Sequence, residues 1–193
     1  METSAVLSIF LSIALGVSLS AAAGFRVFVP FLVMSVAALS GHLSLGEGWS
    51  WIGSYPALIV FAIASVVEIA TYYIPWFDNL LDTITTPAAV VAGVVLTAAS
   101  ITDLSPLLTW TLAIIAGGGA AAMVQGGTVV VRGLSTTTTL GLGNFTVATG
   151  ELVGSVAASV LAVVLPFLAF ILVLLLLIWM GRLILRVRRR LRR

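Results

Sequence analysis

Apolar runs long enough to cross a bilayer alternate with short polar stretches along most of the chain. A transmembrane helix needs about 20 apolar residues, so this chain has room for about five to seven spans. The pattern predicts an all-α, polytopic membrane helix bundle with broken or re-entrant segments. We expect one transmembrane domain over residues 1–181, with candidate halves 1–106 and 107–181, and a basic tail over 182–193.

The first apolar block covers residues 5–39 and contains two interruptions, at residues 24–26 (Gly-Phe-Arg) and at Pro30. As one straight helix it would rise about 50 Å, which exceeds the thickness of the bilayer. Either a tight turn lies near Gly24, or the helix breaks there. A break would make residues 27–40 a short or re-entrant segment.

The middle of the chain alternates in the same way. The pattern predicts an interfacial loop over 41–54, a span over 55–74 ended by Pro75, an amphipathic turn over 75–82, a span over 85–100 that begins at Thr86-Pro87, a short loop over 102–106 and an apolar run over 107–131. Tryptophan and tyrosine in the first loop are typical of headgroup depth. Proline ends the second span and is a common first residue of the third.

Two later stretches allow more than one interpretation. Residues 133–150 are rich in serine, threonine and glycine, and they form either irregular backbone lining a cavity or an ordinary surface loop. Residues 147–181 are apolar with Pro166 near the centre, so they form either two spans joined tightly there or one long kinked helix.

Composition restricts the class of protein and its partners. Hydrophobic residues make up 61% of the chain and charged residues 8%, against about 25% charged in soluble domains. Seven of the nine basic residues lie in the tail, so the net charge of +2 does not indicate nucleic-acid binding. The positive-inside rule places this tail in the cytoplasm, where it can touch anionic lipid.

Four charged residues stand inside apolar helix candidates: Arg26, Glu68, Arg132 and Glu151. A charge in the bilayer costs about 3 kcal/mol, so four unpaired charges would cost about 12 kcal/mol. That is comparable to the stability of a whole domain, about 5–15 kcal/mol. We therefore expect these side chains to meet each other, water or a ligand in a common polar centre.

The two arginines have similar surroundings in sequence. Three alanines, 21–23, precede Arg26 and three more, 120–122, precede Arg132. One embedded glutamate follows each arginine, 42 residues after Arg26 and 19 residues after Arg132. Two halves of similar plan with broken helices are typical of inverted-repeat transporters, in which the site lies between the repeats. The sequence thus suggests an inverted repeat.

These landmarks resemble a known family. The matching residues are Gly24-Phe25-Arg26, Pro30, Glu68, Ile74-Pro75, Asp78, Asp82 and Pro87, followed by Arg132, the Ser/Thr run, Gly141, Gly143-Asn144, Glu151 and Pro166. In order and spacing they resemble the bacterial membrane proteins of the domain-of-unknown-function family 4126. The chain departs from that pattern at Tyr72-Tyr73 and at Phe145. The resemblance implies a bacterial plasma (inner) membrane location and no particular activity.

Each buried charge has a functional and a structural interpretation. Arg26 and Arg132 could hold an anionic substrate beside exposed helix N-termini, or they could be counter-ions of the glutamates or extend to the interface. Glu68 could relay protons or cations, with Ser65 and Tyr72 on the same helix face, or it could brace the fold. Beside Glu151, small residues recur every four positions, which is typical of close helix packing.

The remaining candidates carry weaker chemistry. Asp78 and Asp82 would share one helix face and could bind a cation at the membrane surface, or they could be two solvated carboxylates. His42 is the only histidine and cysteine is absent, so nucleophilic catalysis and a Cys-ligated metal have no support. No Walker-type or dinucleotide motif is present. We expect no enzyme activity, no metal and no cofactor.

The sequence favours a small transporter or channel-like protein of unknown substrate. The candidate path residues are Arg26, Glu68, Tyr72, Arg132, Ser135, Thr136, Thr137, Asn144 and Glu151. The alternative is a non-transporting membrane scaffold, which assists assembly or lipid organisation and whose buried charges are structural ion pairs. Glycines at 117–119, 150 and 154 also make a homo-oligomer conceivable.

Overall fold

The computed structural model describes the backbone of residues 2–73 and 77–191, and the side chains of residues 3–73 and 83–187. The α-helices are α1 (Glu2–Ala23), α2 (Phe28–Leu39), α3 (Tyr55–Tyr72), α4 (Phe77–Ser100), α5 (Pro106–Leu112), α6 (Gly119–Thr139), α7 (Asn144–Val164) and α8 (Pro166–Leu191). A π-helical segment, Ala113–Gly118, joins α5 and α6, and a short 3-10 helix, Ser50–Gly53, precedes α3. The predicted all-α helix bundle is confirmed.

The described residues include six helical stretches long and apolar enough to cross a membrane. They are Thr3–Ala23, Tyr55–Tyr72, Thr83–Ser100, Pro106–Thr139, Asn144–Val164 and Pro166–Val187. Many of their outward side chains are large and apolar, including Ile59, Val91 and Leu175, which are at least half exposed. Such a surface is stable in lipid rather than in water, so the chain is a multi-pass membrane protein.

Helices α1 and α2 form a hairpin with its turn inside the bundle. Gly24 makes the turn, and a Cβ there would lie 2.7 Å from the carbonyl oxygen of Ala121. Ser155 donates a hydrogen bond to the carbonyl of Ala22 near the end of α1. Because α2 has 12 residues, it rises about 18 Å and cannot cross the bilayer alone. The structure therefore combines the two interpretations of residues 5–39: a tight turn at Gly24 and a short helix after it.

Helices that are joined by a loop or turn run in opposite directions, which gives the bundle two ends. The loop face holds the loops 40–54 and 101–105, where Gly46 donates a backbone hydrogen bond to Ala99. The tail face holds the end of α3, the turn 140–143 and the C-terminal part of α8. Helix α2 starts inside the bundle and ends at the loop face, and α3 then runs beside it toward the tail face, with Phe31 stacked on Phe61.

Small residues let α1, α4 and the π-helical segment approach closely in the core. A Cβ on Gly117 would lie 2.6 Å from the carbonyl oxygen of Gly93, and one on Gly16 would lie 2.9 Å from the Cα of Thr97. Ser20 donates a hydrogen bond to the carbonyl of Gly93 at 2.6 Å. In lipid, such backbone contacts and interhelical hydrogen bonds replace the hydrophobic effect as the source of helix association.

The prediction that the helix of the third span begins at Thr86-Pro87 is wrong, although the predicted span over 85–100 agrees with the candidate span Thr83–Ser100. Helix α4 begins at Phe77 and contains Pro87 in its interior. Residues 77–82, predicted to belong to an amphipathic turn, therefore form the first turns of this helix. Proline is tolerated inside membrane helices because neighbouring groups can bond the backbone carbonyl that it leaves without its usual partner. Pro75, expected to end α3, lies outside the described residues.

The predicted irregular segment or loop over 133–150 is also wrong for most of its length. Helix α6 continues to Thr139 and α7 starts at Asn144, so only residues 140–143 connect them. Gly141 and Leu140 take positive φ values of 88° and 54° there, which a tight reversal between helices requires. The hydroxyls of Thr136, Thr138 and Thr139 each bond the carbonyl four residues earlier, so this polar run is compatible with a helix.

The apolar stretch over 147–181 forms two helices that join at Pro166, and not one long kinked helix. Helix α7 ends at Val164, Leu165 leaves the helical conformation with φ −137° and ψ 70°, and α8 starts at Pro166. Helix α8 then continues through Gly181 as far as Leu191, so most of the basic tail extends this helix. The division into halves and the inverted repeat stay predictions.

Candidate functional site

Five side chains from four parts of the fold converge between the hairpin and the tail face. We call these residues the polar centre: Arg26, Glu68, Tyr72, Arg132 and Glu151. Arg26 lies in the turn between α1 and α2, Glu68 and Tyr72 lie on α3, Arg132 on α6 and Glu151 on α7. All five are at most 7% exposed to solvent. The fold therefore gathers all four embedded charges in one region.

One carboxylate oxygen of Glu151 contacts both arginines. Arg132 donates a hydrogen bond from Nη2 to Oε2 of Glu151, and Nη2 of Arg26 lies 3.4 Å from the same oxygen. Arg26 also donates from Nη2 to the carbonyl of Ala148, at 2.9 Å. One carboxylate thus joins the α1–α2 turn, α6 and α7. Removing it would leave two buried guanidinium groups without a shared counter-ion.

Both guanidinium groups lie against the ring of Tyr72. The Cζ atom of Arg26 lies 3.8 Å from the ring centroid and that of Arg132 lies 4.4 Å from it. A desolvated cation–π contact of this kind contributes about 2 kcal/mol. The hydroxyl of Tyr72 is 3.1 Å from Thr85 Oγ1, which also accepts a hydrogen bond from Gln125. The aromatic ring therefore contacts both arginines from the α3 side of the bundle.

Among the described residues, Glu68 forms no ion pair with an arginine within 4 Å and instead binds the N-terminus of α2. Its Oε1 accepts a hydrogen bond from the backbone N–H of Val27 at 2.7 Å, and its Oε2 accepts one from Phe28 at 3.0 Å. The first N–H groups of a helix have no partner within the helix, and the helix dipole favours a negative charge beside them. The carboxylate of Glu68 supplies both the acceptors and the charge.

The polar centre lies closer to the tail face than to the loop face. Arg132 precedes the end of α6 at Thr139 by seven residues, and Glu151 follows the start of α7 at Asn144 by seven residues. Seven residues of helix rise about 10 Å, whereas α2 places about 18 Å between the centre and the loop face. A solute at the polar centre would be separated from both sides by protein.

The other candidate residues lie between the polar centre and the tail face or outside the described side chains. Asn144 donates a hydrogen bond to Thr136 at 3.0 Å, and both are half-buried. Ser135 is half-buried, whereas Thr137 is exposed and bonds the carbonyl of Leu134, so the structure does not bring Thr137 to the centre. The side chains of Asp78 and Asp82 lie outside the described residues.

Two neighbours of the centre were missed by the sequence analysis, namely Thr85 and Gln125. Gln125 is buried and lies seven residues, or two helical turns, before Arg132 on the same face of α6. An amide inside an apolar run at that spacing is a signal that could have identified it. Thr85 carried no such signal, because single threonines are common in membrane helices.

The chemistry of the described centre is that of charge binding. It offers guanidinium groups, a helix N-terminus, two carboxylates and hydroxyls, and the described residues contain no group of three or more His, Cys, Asp or Glu side chains that could hold a metal ion. Of the donors, Nε and Nη1 of Arg26 have no hydrogen-bond partner among the described residues although the side chain is 1% exposed. Buried polar atoms of this kind commonly contact a ligand or water.

Comparison with known proteins gives a family and no activity. The family model described as a domain of unknown function, DUF4126, matches residues 13–186, which include all five residues of the polar centre. No curated protein and no solved structure matches the chain.

Proposed function

The chain belongs to the DUF4126 family, whose function is unknown, and we propose that it is a small transporter or channel-like protein that passes small anions. The observation that carries the proposal is the convergence of two arginines at the point where the α1–α2 hairpin turns inside the membrane. Arg26 there has two guanidinium nitrogens without a hydrogen-bond partner among the described residues. Intramembrane charged residues that line broken helices are typical of substrate sites in transporters.

The guanidinium nitrogens of Arg26 that have no described partner favour an anion over a cation as the substrate. The carboxylate of Glu151 is engaged by both arginines, and the two oxygens of Glu68 are engaged by the amides of Val27 and Phe28. The unpartnered atoms of Arg26 are donors, which suit an anion. The positive end of the α2 dipole points to the same region.

The proposed path leads through the polar centre from both sides. On one side, α2 and its neighbours separate the centre from the loop face. On the other, Thr136 and Asn144 lie between the centre and the tail face, joined by one hydrogen bond. Passage requires a change at each barrier, as in alternating access around a fixed central site. An inverted repeat would relate the two barriers.

Orientation and location complete the proposal. With seven arginines in the tail, the positive-inside rule makes the tail face cytoplasmic, and we propose the bacterial plasma membrane as the location. Each arginine near an anionic lipid surface would add about 1 kcal/mol of attraction. No enzyme activity and no cofactor are part of this proposal.

A scaffold without transport is the second candidate, and the burial of the centre favours it. Both arginines already have one carboxylate in reach, and all four charges are nearly inaccessible to solvent. In a scaffold these contacts would only hold α3, α6 and α7 around the hairpin. A Cβ added to Gly119 or Gly150 would meet no atom within 4 Å, so these positions could serve a homo-oligomer, whereas Gly117 packs against α4.

The two candidates differ in what Arg26→Gln does to flux. Purified protein in liposomes should pass at least one of chloride, nitrate, formate and phosphate faster than empty vesicles do. Arg26→Gln should raise the half-saturating anion concentration about 10- to 100-fold, because it removes hydrogen bonds from a charged donor worth about 1.5–3 kcal/mol. Arg182→Gln, at an exposed position in the tail, is the matched control and should keep wild-type flux.

Flux through wild-type protein equal to that of empty vesicles for every anion would contradict transport. If Arg26→Gln then lowers the yield of folded protein while there is no flux to lose, the scaffold interpretation is supported instead.

A further inference from the structure

Glu68 reaches the N-terminus of α2 from a different helix, as a bound anion would. Its partners, Val27 and Phe28, are about 40 residues away in sequence. Val27, at the cap position, provides no side-chain hydrogen bond to the helix. The residues next to this helix end therefore supply no side-chain cap for its backbone N–H groups, and a carboxylate from α3 accepts their hydrogen bonds instead. Helix N-termini bind phosphate, sulfate and carboxylate groups with the same backbone donors.

A second observation points to a ligand at this helix end. Arg26 immediately precedes Val27, and its guanidinium is 1% exposed with Nε and Nη1 unpartnered among the described residues. The guanidinium lies over Tyr72, which is one helical turn beyond Glu68 on α3. Side chains four residues apart on a helix are neighbours at about 5–6 Å. The guanidinium of Arg26 and the helix end bound by Glu68 therefore lie in the same part of the polar centre.

We propose that Glu68 is a tethered occupant of an anion site made by the amides of Val27 and Phe28 together with Arg26, and that a small monovalent anion replaces its carboxylate during transport. This inference rests on the proposed function and names the substrate class and gate of the same centre. The anion is of carboxylate, nitrate or halide size, because two adjacent amides and one guanidinium edge can surround only a compact ion.

Replacement of the Glu68 carboxylate by an anion would break the contact between α3 and the start of α2. While Glu68 occupies the site, α3 is joined to the start of α2 by two hydrogen bonds, so the path along the hairpin is closed. An anion that binds the same amides releases the side chain of Glu68 and this link between the helices. Occupancy by substrate and opening between α2 and α3 are thereby coupled, since the two carriers of negative charge compete for the same donors.

Removing the tethered carboxylate should make the site accessible to free anions. We expect the thermal unfolding midpoint of Glu68→Ala in detergent to rise by about 5–10 °C in saturating sodium formate, relative to sodium gluconate at equal ionic strength. Gluconate controls for salt because it is too large for the site. Wild-type protein should show a smaller rise than Glu68→Ala, because its own carboxylate competes with formate for the site. Glu47→Ala should behave as wild type does, since Glu47 lies in the exposed loop at the loop face.

Equal midpoints of Glu68→Ala in formate and gluconate would overturn the inference. If Glu68→Ala does not fold in gluconate, Glu68→Gln is measured in the same way, because it keeps the side-chain volume but can offer only one acceptor oxygen. Failure of both variants to fold even in formate would also overturn it. A formate-specific rise without flux in wild-type liposomes would retain the anion site and refute transport, so the two failures are distinguishable.

Discussion

Glu151→Gln is expected to lower the free energy of unfolding by about 3–5 kcal/mol, the cost of breaking a buried ion pair by removing one partner. The reason is that Glu151 serves both Arg26 and Arg132 on one oxygen. Glutamine has the same shape and can still accept a hydrogen bond, but it has no charge to balance two guanidinium groups. The loss would be measured by denaturant unfolding in detergent micelles.

The matched control for this substitution is Glu47→Gln, which changes the same charge in an exposed loop and should shift the free energy of unfolding by less than about 0.5 kcal/mol. If Glu151→Gln were as mild as this control, the two arginines would have other sufficient counter-ions. The shared carboxylate would then not organise the bundle.

Tyr72→Leu is expected to lower the free energy of unfolding by about 2–4 kcal/mol, whereas Tyr72→Phe should lower it by about 1 kcal/mol. Leucine keeps an apolar side chain but removes the aromatic face on which both guanidinium groups lie. Phenylalanine keeps that face and loses the hydroxyl, with its contact to Thr85. The difference between the two variants measures the cation–π contribution.

For Tyr72, the control is Tyr55→Leu, since Tyr55 is 74% exposed at the start of α3 and contacts neither arginine. Equal losses for Tyr72→Leu and Tyr72→Phe would mean that the ring only fills space. In that case Glu151 and the backbone carbonyl of Ala148, rather than the ring, would hold the arginines.

Residue types and spacing predicted the spans and the break in the first apolar block. The reason is that the first apolar block is longer than one span requires, and Gly24 marks where the chain can turn. The two local errors share a physical cause. Proline and threonine are signals of helix ends in water, but in an apolar medium Pro87 stays within α4 and the threonines of α6 bond the carbonyls of their own helix.

The partners within the polar centre could not be predicted from the sequence. The cost of isolated charges implied that the four would gather, but not that both arginines share Glu151 while Glu68 binds backbone amides. Those partners depend on how α3, α6 and α7 pack around the hairpin, which residue spacing does not specify. Thr85 and Gln125 were missed for the same reason, since their role follows from packing beside Tyr72.

The gathering of opposite charges inside the membrane can be measured directly by magic-angle-spinning NMR of the protein in lipid bilayers. Magnetisation transferred from glutamate carboxyl carbons to arginine guanidinium nitrogens should correlate Glu151 with both Arg26 and Arg132, because each guanidinium has a nitrogen within 3.4 Å of its Oε2. Glu68 should instead correlate with the backbone nitrogens of Val27 and Phe28. Correlations of both guanidinium groups with lipid phosphate, and none with Glu151, would contradict a shared polar centre and the anion site built on it.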